Sequence, residues 1–121
     1  LVEPMMNFAA IADQTLFSPS LLAAVLLTTQ DEIARTIGLG RDAVARKDRV
    51  ASPRTQTRLR EMAEIVNRVE PRFGSALLAY AWMRSEPLPG YGGLTAMHLL
   101  QQGRAGEVMD LIDAVDAGVH A

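Results

Sequence analysis

The chain has 121 residues, enough for one domain or two small subdomains sharing a core, and its 49% hydrophobic and 21% charged content fits a folded protein rather than a disordered one. It contains no cysteine, which excludes disulfide frameworks, thiol nucleophiles and thiolate metal sites; its two histidines, His98 and His120, stand too far apart for a local two-histidine zinc motif, so no metal and no cofactor are expected. The net charge of −2 conceals three blocks, −4 over residues 1–34, +6 over 35–60 and −4 over 61–121, which implies two surfaces with different partners.

Residues 1–17 show weak periodicity and read as an arm. The stretch Met5–Leu27 is the most apolar, but no basic residue precedes it, Asp13 interrupts it and Ser18-Pro19 breaks it. Its continuous apolar run, Leu21–Leu27, is far shorter than the roughly 20 residues a membrane span needs. No export signal and no membrane helix are expected, and the lack of cysteine fits a reducing, cytoplasmic location. Ser18-Pro19 is an N-cap with proline in the first helical turn. Thr29-Gln-Asp-Glu32 has capping-box form and opens a helix that should stop at Gly38. A short helix follows from about Arg41 to Lys47.

Ser52-Pro53 opens the longest helix, with Leu59, Met62, Ala63, Val66 and Val69 on one face and Glu64 and Arg68 as an i,i+4 pair on its wet side. Pro71 is expected to start another helix, carrying Phe73, Leu77, Tyr80, Ala81 and Trp82. Two prolines and three glycines between Glu86 and Gly93 forbid regular helix there. Thr95 caps a short helix ending near Gly103. The last helix carries Val108, Leu111, Ile112 and Val115 at i, i+3, i+4, i+7 spacing, and Gly118 closes it. No segment alternates with period two over strand length. The expected fold is all-α: an arm over 1–17, a helix-turn-helix-like unit with a long connecting helix over 18–69, and a second helical domain over 70–121.

Gln30 to Asp48 has the parts of a helix-turn-helix. Ala34 sits where the helices touch, Gly38 in the turn, and Ile33, Ile37, Leu39 and Val44 are the apolar anchors. Arg41, Arg46, Lys47 and Arg49 would then face DNA, with Arg54 near the phosphates. An ordinary three-helix unit with a solvated basic face has the same pattern. No aromatic residue interleaves with the basic ones, which disfavours stacking on single strands. Gly38-Leu-Gly-Arg-Asp-Ala43 imitates a dinucleotide fingerprint but follows a helix, not a strand, and is rejected. Trp82 and Tyr91 read as packing residues. In the final helix Glu107, Asp110, Asp113 and Asp116 have no later Lys or Arg to offset them, and carboxylates near a helix C-terminus oppose its dipole. That end looks suited to a basic partner.

Taken together, the chain resembles the Xre/MbcA/ParS antitoxins, which pair with RES-domain toxins, from about Leu26 to Val119. The resemblance rests on the degenerate helix-turn-helix Asp31–Val44, then on Trp82, Leu88-Pro89, Gly92-Gly93-Leu94-Thr95, Leu99-Leu100, Gly103, Val108, Leu111-Ile112 and Gly118 in that order. Ala96 stands where the family often has proline, and Gly40 replaces a usual serine cap. The resemblance implies a non-enzymatic inhibitor whose C-terminal end obstructs the toxin's NAD-binding cleft, with Asp113, Asp116, Gly118, Val119 and His120 as the blocking segment. It further implies a cognate RES-domain toxin as partner, a homodimer within a hetero-oligomeric complex, and autorepression through operator DNA. The apolar Leu21–Leu27 helix is a candidate dimer seam, though burial in its own core explains it equally well. A stand-alone helix-turn-helix transcription regulator is the alternative. A small enzyme has no recognisable acid/base cluster or phosphate loop in its favour.

Overall fold

The computed structural model describes residues 12–13 and 16–119. Most of the expected arm, together with His120, lies outside the described residues. What is described of the arm is a two-stranded antiparallel ladder, β1 (Ala12–Asp13) with β2 (Leu16–Phe17). Eight helices follow among the described residues: α1 (Pro19–Val25), α2 (Gln30–Ile37), α3 (Asp42–Ala45), α4 (Lys47–Val50), α5 (Pro53–Phe73), α6 (Ala76–Ser85), α7 (Ala96–Gln101) and α8 (Ala105–Val119). The fold is all-α.

Local chemistry sets most boundaries. The side chains of Ser18, Thr29, Ser52, Ser75 and Thr95 each accept a hydrogen bond from a backbone N–H in the first turn of the helix they precede. At Thr95 the cap is reciprocal: the His98 ring Nδ1 lies 3.0 Å from the Thr95 backbone N–H, and Thr95 Oγ1 accepts from His98 N. At Thr29 it is not, because Glu32 turns instead to Arg35 at 2.7 Å.

Pro71 does not begin a helix. Helix α5 runs through it to Phe73 and ends at Gly74, in the left-handed region with φ 75°, and Ser75 caps α6. Pro71 lacks the N–H that would bond the carbonyl four residues back, and the disruption is confined to the last turn because only Arg72 and Phe73 of the helix lie beyond it. The expected helix over 41–47 is also not continuous. Arg46 is extended (φ −93°, ψ 128°) and splits it into α3 and α4, four residues each. Val44 is the only buried residue in this stretch, so no apolar stripe spans both pieces. Helix α8, in turn, passes through Gly118 to Val119.

Helix α5 is the spine. Leu59, Met62, Ala63, Ile65, Val66 and Val69 are all fully buried, a stripe wider than the expected single face because α6, α8, α2 and α7 all pack on it. Gln56 of α5 pins the ladder, accepting from the Phe17 N–H at 2.8 Å and donating to its carbonyl at 3.0 Å. The end of α2 is held from both sides. Arg58 of α5 donates to the Ile37 carbonyl at 2.7 Å, and Gln101 of α7 donates to the Arg35 carbonyl at 2.8 Å. The Thr36 and Tyr80 hydroxyls meet at 3.0 Å within the core. The N-terminal helices and the C-terminal ones therefore share one core.

Candidate functional site

Two regions concentrate chemistry. The first is the C-terminal end of α8. Asp113 and Asp116 stand three residues apart on it, and both are ion-paired with α5: Asp113 with Arg68, and Asp116 with Arg72 at 2.6 Å. The Arg72 guanidinium also donates to the Ile112 carbonyl at 3.3 Å. The acidic end of α8 is thus compensated, not by residues later in the chain but by a neighbouring helix. Arg68 accordingly does not pair with Glu64, which takes Arg60 at 3.0 Å. Gly118 is exposed in the last described turn, Val119 is the last described helical residue, and His120 lies outside the described residues.

The start of α8 is organised separately. Arg104 grips the Glu107 carboxylate with two N–H groups at 2.7 and 2.9 Å, and Tyr91 donates its hydroxyl to the same group at 3.2 Å. The Arg104 bond, followed by the Tyr91 bond, holds the Glu107 carboxyl below its ordinary range. Partial burial and the Glu107 carboxylate push the Tyr91 hydroxyl up. Tyr91 thereby anchors the loop from Glu86 to Leu94, which Leu88 closes by donating to the Leu94 carbonyl at 2.8 Å.

Between that loop, the end of α6 and the outer half of α8 lies an open groove of about 230 Å³. Trp82, Pro87, Leu88, Pro89, Leu111, Ile112 and Val115 give it an apolar lining, with Arg72 and Glu86 at its edge. Trp82 is half-buried against it. Val115, expected on the packed face of the last helix, is instead 42% exposed.

The second region is the basic block. Arg41, expected to face DNA, is committed to Asp31 by a bidentate pair at 3.0 and 2.8 Å, which lowers the Asp31 pKa and raises that of Arg41. Arg35 and Arg60 are paired within their own helices and Arg58 caps α2. Arg46 makes only a loose contact to Asp48 at 3.6 Å, and among the described residues no ion pair engages Lys47, Arg49 or Arg54. The exposed cations of this block without a close ion pair are Arg46, Lys47, Arg49 and Arg54, set on and between two short helical turns and at the start of α5. The anchors Ile33, Ala34, Ile37 and Val44 are buried as expected, and Leu39 packs partly against the core.

The sequence alone pairs Arg68 with Glu64 and leaves Arg72 without a partner. A signal existed: basic residues four apart on α5 complement acidic residues three apart on α8. Helical neighbours at those spacings share a face. Among the described residues no cluster of His, Cys, Asp or Glu could hold a metal ion, and no helix is long and apolar enough to cross a membrane.

Residues 68–118 match the family model of the antitoxin Xre/MbcA/ParS C-terminal toxin-binding domain. No curated protein and no solved structure matches the chain significantly.

Proposed function

From the premise that the chain is an Xre/MbcA/ParS-type antitoxin whose residues 68–118 form the toxin-binding domain, we propose that it neutralises a RES-domain toxin by seating the end of α8 in the toxin's NAD-binding cleft. The observation that carries this is the family match, which runs from the last turns of α5 to Gly118 and so includes the four acidic residues of α8. Asp113, Asp116, Gly118, Val119 and His120 form the blocking segment. Its carboxylates would meet the basic groups a cleft needs for a pyrophosphate. Since Arg68 and Arg72 already satisfy those carboxylates in the free chain, contact with the toxin involves sharing or exchanging these partners, and electrostatics contributes orientation more than affinity. The role is inhibitory and not enzymatic.

A chain ending at Val115 tests the assignment, because it removes Asp116, Gly118, Val119 and His120 and retains the groove. Full-length chain should abolish NAD turnover by the purified RES-type toxin, and the shortened chain should bind it without abolishing turnover. Equal inhibition by both would sink the blocking assignment.

We propose further that the chain dimerises through its N-terminal half and contacts operator DNA as an autorepressor. Leu16, Leu21 and Leu27 are exposed in that half, Leu27 most of all at 77%, and would supply apolar surface to such a seam. Arg46, Lys47, Arg49 and Arg54 would touch phosphates rather than read bases, since a four-residue turn cannot lay a recognition surface along a groove. The break at Arg46 is the observation that favours this over a stand-alone transcription regulator. Binding should fall steeply with salt and discriminate little between sequences, as measured by titration at several ionic strengths; tight, operator-specific binding by the chain alone would favour the regulator.

A further inference from the structure

We propose that the groove walled by Trp82, Pro87, Pro89, Leu111 and Val115 is the anchor pocket for the toxin, taking one apolar side chain from it. The inference rests on the antitoxin reading and adds where on the domain the partner is held. Every lining residue falls within the toxin-binding segment 68–118. The groove is continuous with the end of α8, for Val115 lies on its wall and Asp116 follows directly. Its chemistry specifies the class of occupant: the lining is apolar, and a groove of about 230 Å³ has room for an apolar side chain whose burial would release water.

The groove is also built to bind at low entropic cost. Pro87 and Pro89 have fixed φ, the Leu88–Leu94 hydrogen bond closes the loop behind them, and Tyr91 ties that loop to Glu107. Trp82, half-buried beside them, is of the residue class that most often dominates binding energy at such centres. Arg72 at the edge links the pocket to the blocking segment, since its guanidinium reaches both the Ile112 carbonyl and Asp116.

The chain has a single tryptophan, so 5-fluorotryptophan labels this groove alone. A ¹⁹F spectrum of the labelled full chain should shift when the unlabelled toxin is added. Val115→Arg and Pro89→Arg, both at exposed positions, should weaken toxin binding at least about tenfold, equivalent to ~1.4 kcal/mol, while Thr57→Ala, exposed on the first half of α5, leaves it unchanged. Full binding with no ¹⁹F shift and unaltered affinity in both groove variants would overturn the inference and leave the antitoxin reading standing. A shift that depends on the chain's own concentration, without toxin, would also overturn it, by making a second copy the occupant. Absence of any toxin binding by the wild-type chain would remove the antitoxin reading itself and the inference with it.

Discussion

Replacing Arg72 by alanine removes the guanidinium that ties the end of α5 to the end of α8. Two contacts are lost, to Asp116 at 2.6 Å and to the Ile112 carbonyl at 3.3 Å. The two side chains are 30% and 45% exposed, so solvent screening limits the ion pair to about 0.5–1 kcal/mol. Asp116 is then left unmasked against the helix dipole, adding about 0.3–1 kcal/mol. The expected cost is about 1–2 kcal/mol, and each kcal/mol lowers Tm by roughly 3–5 °C for a chain of this size. Asp116→Asn alone should cost less, because it removes the attraction and the dipole penalty together. Urea unfolding followed by Trp82 fluorescence, in a double-mutant cycle, should return a coupling of about 0.5–1 kcal/mol that shrinks in high salt. If the two substitutions add within about 0.3 kcal/mol, the pair does not hold α8, and packing of Val108 and Ile112 alone must do so.

Gly38→Ala should cost about 2–4 kcal/mol in equilibrium unfolding, because φ is +73° and a Cβ would stand 2.9 Å from Gln101 Cβ; Gly40→Ala, with nothing within 4 Å, should be neutral or slightly stabilising. Tyr80→Phe deletes the buried bond to Thr36, which keeps its own bond to the Glu32 carbonyl, so a loss of about 0.5–1.5 kcal/mol is expected; no change would mean that the hydroxyl contact contributes nothing net. Folding lowers the Glu107 pKa, so its contribution is present above the ordinary value of 4.5 and is lost as pH falls through the lowered one. The stability gap between wild type and Arg104→Gln should therefore narrow on acidification below that value, and a constant gap would contradict the pairing.

What could be read from the sequence was local. Caps at Ser18, Thr29, Ser52 and Thr95 declare themselves within four residues, since side chain and recipient N–H are neighbours in the chain. Gly74-Ser75 was overshadowed by Pro71, whose cost depends on how much helix remains beyond it, and only Arg72 and Phe73 do. The split at Arg46 was foreshadowed by the lack of any apolar residue between Ala45 and Arg49, since short helices persist only where a packed face holds them. Pairs such as Arg68–Asp113 span 45 residues, so the matching helical spacings of the two sets suggest a pairing but do not place the two helices side by side. Periodicity put Val115 on the correct side of α8, but it could not say whether anything covers that side. The groove is what remains uncovered.

Inhibition kinetics at varied NAD test the central claim most directly. If the end of α8 occupies the NAD-binding cleft, raising NAD should relieve inhibition by the full chain, the apparent Ki increasing in proportion to NAD above its KM. Inhibition unchanged across that range would place the bound chain away from the cleft and contradict the account.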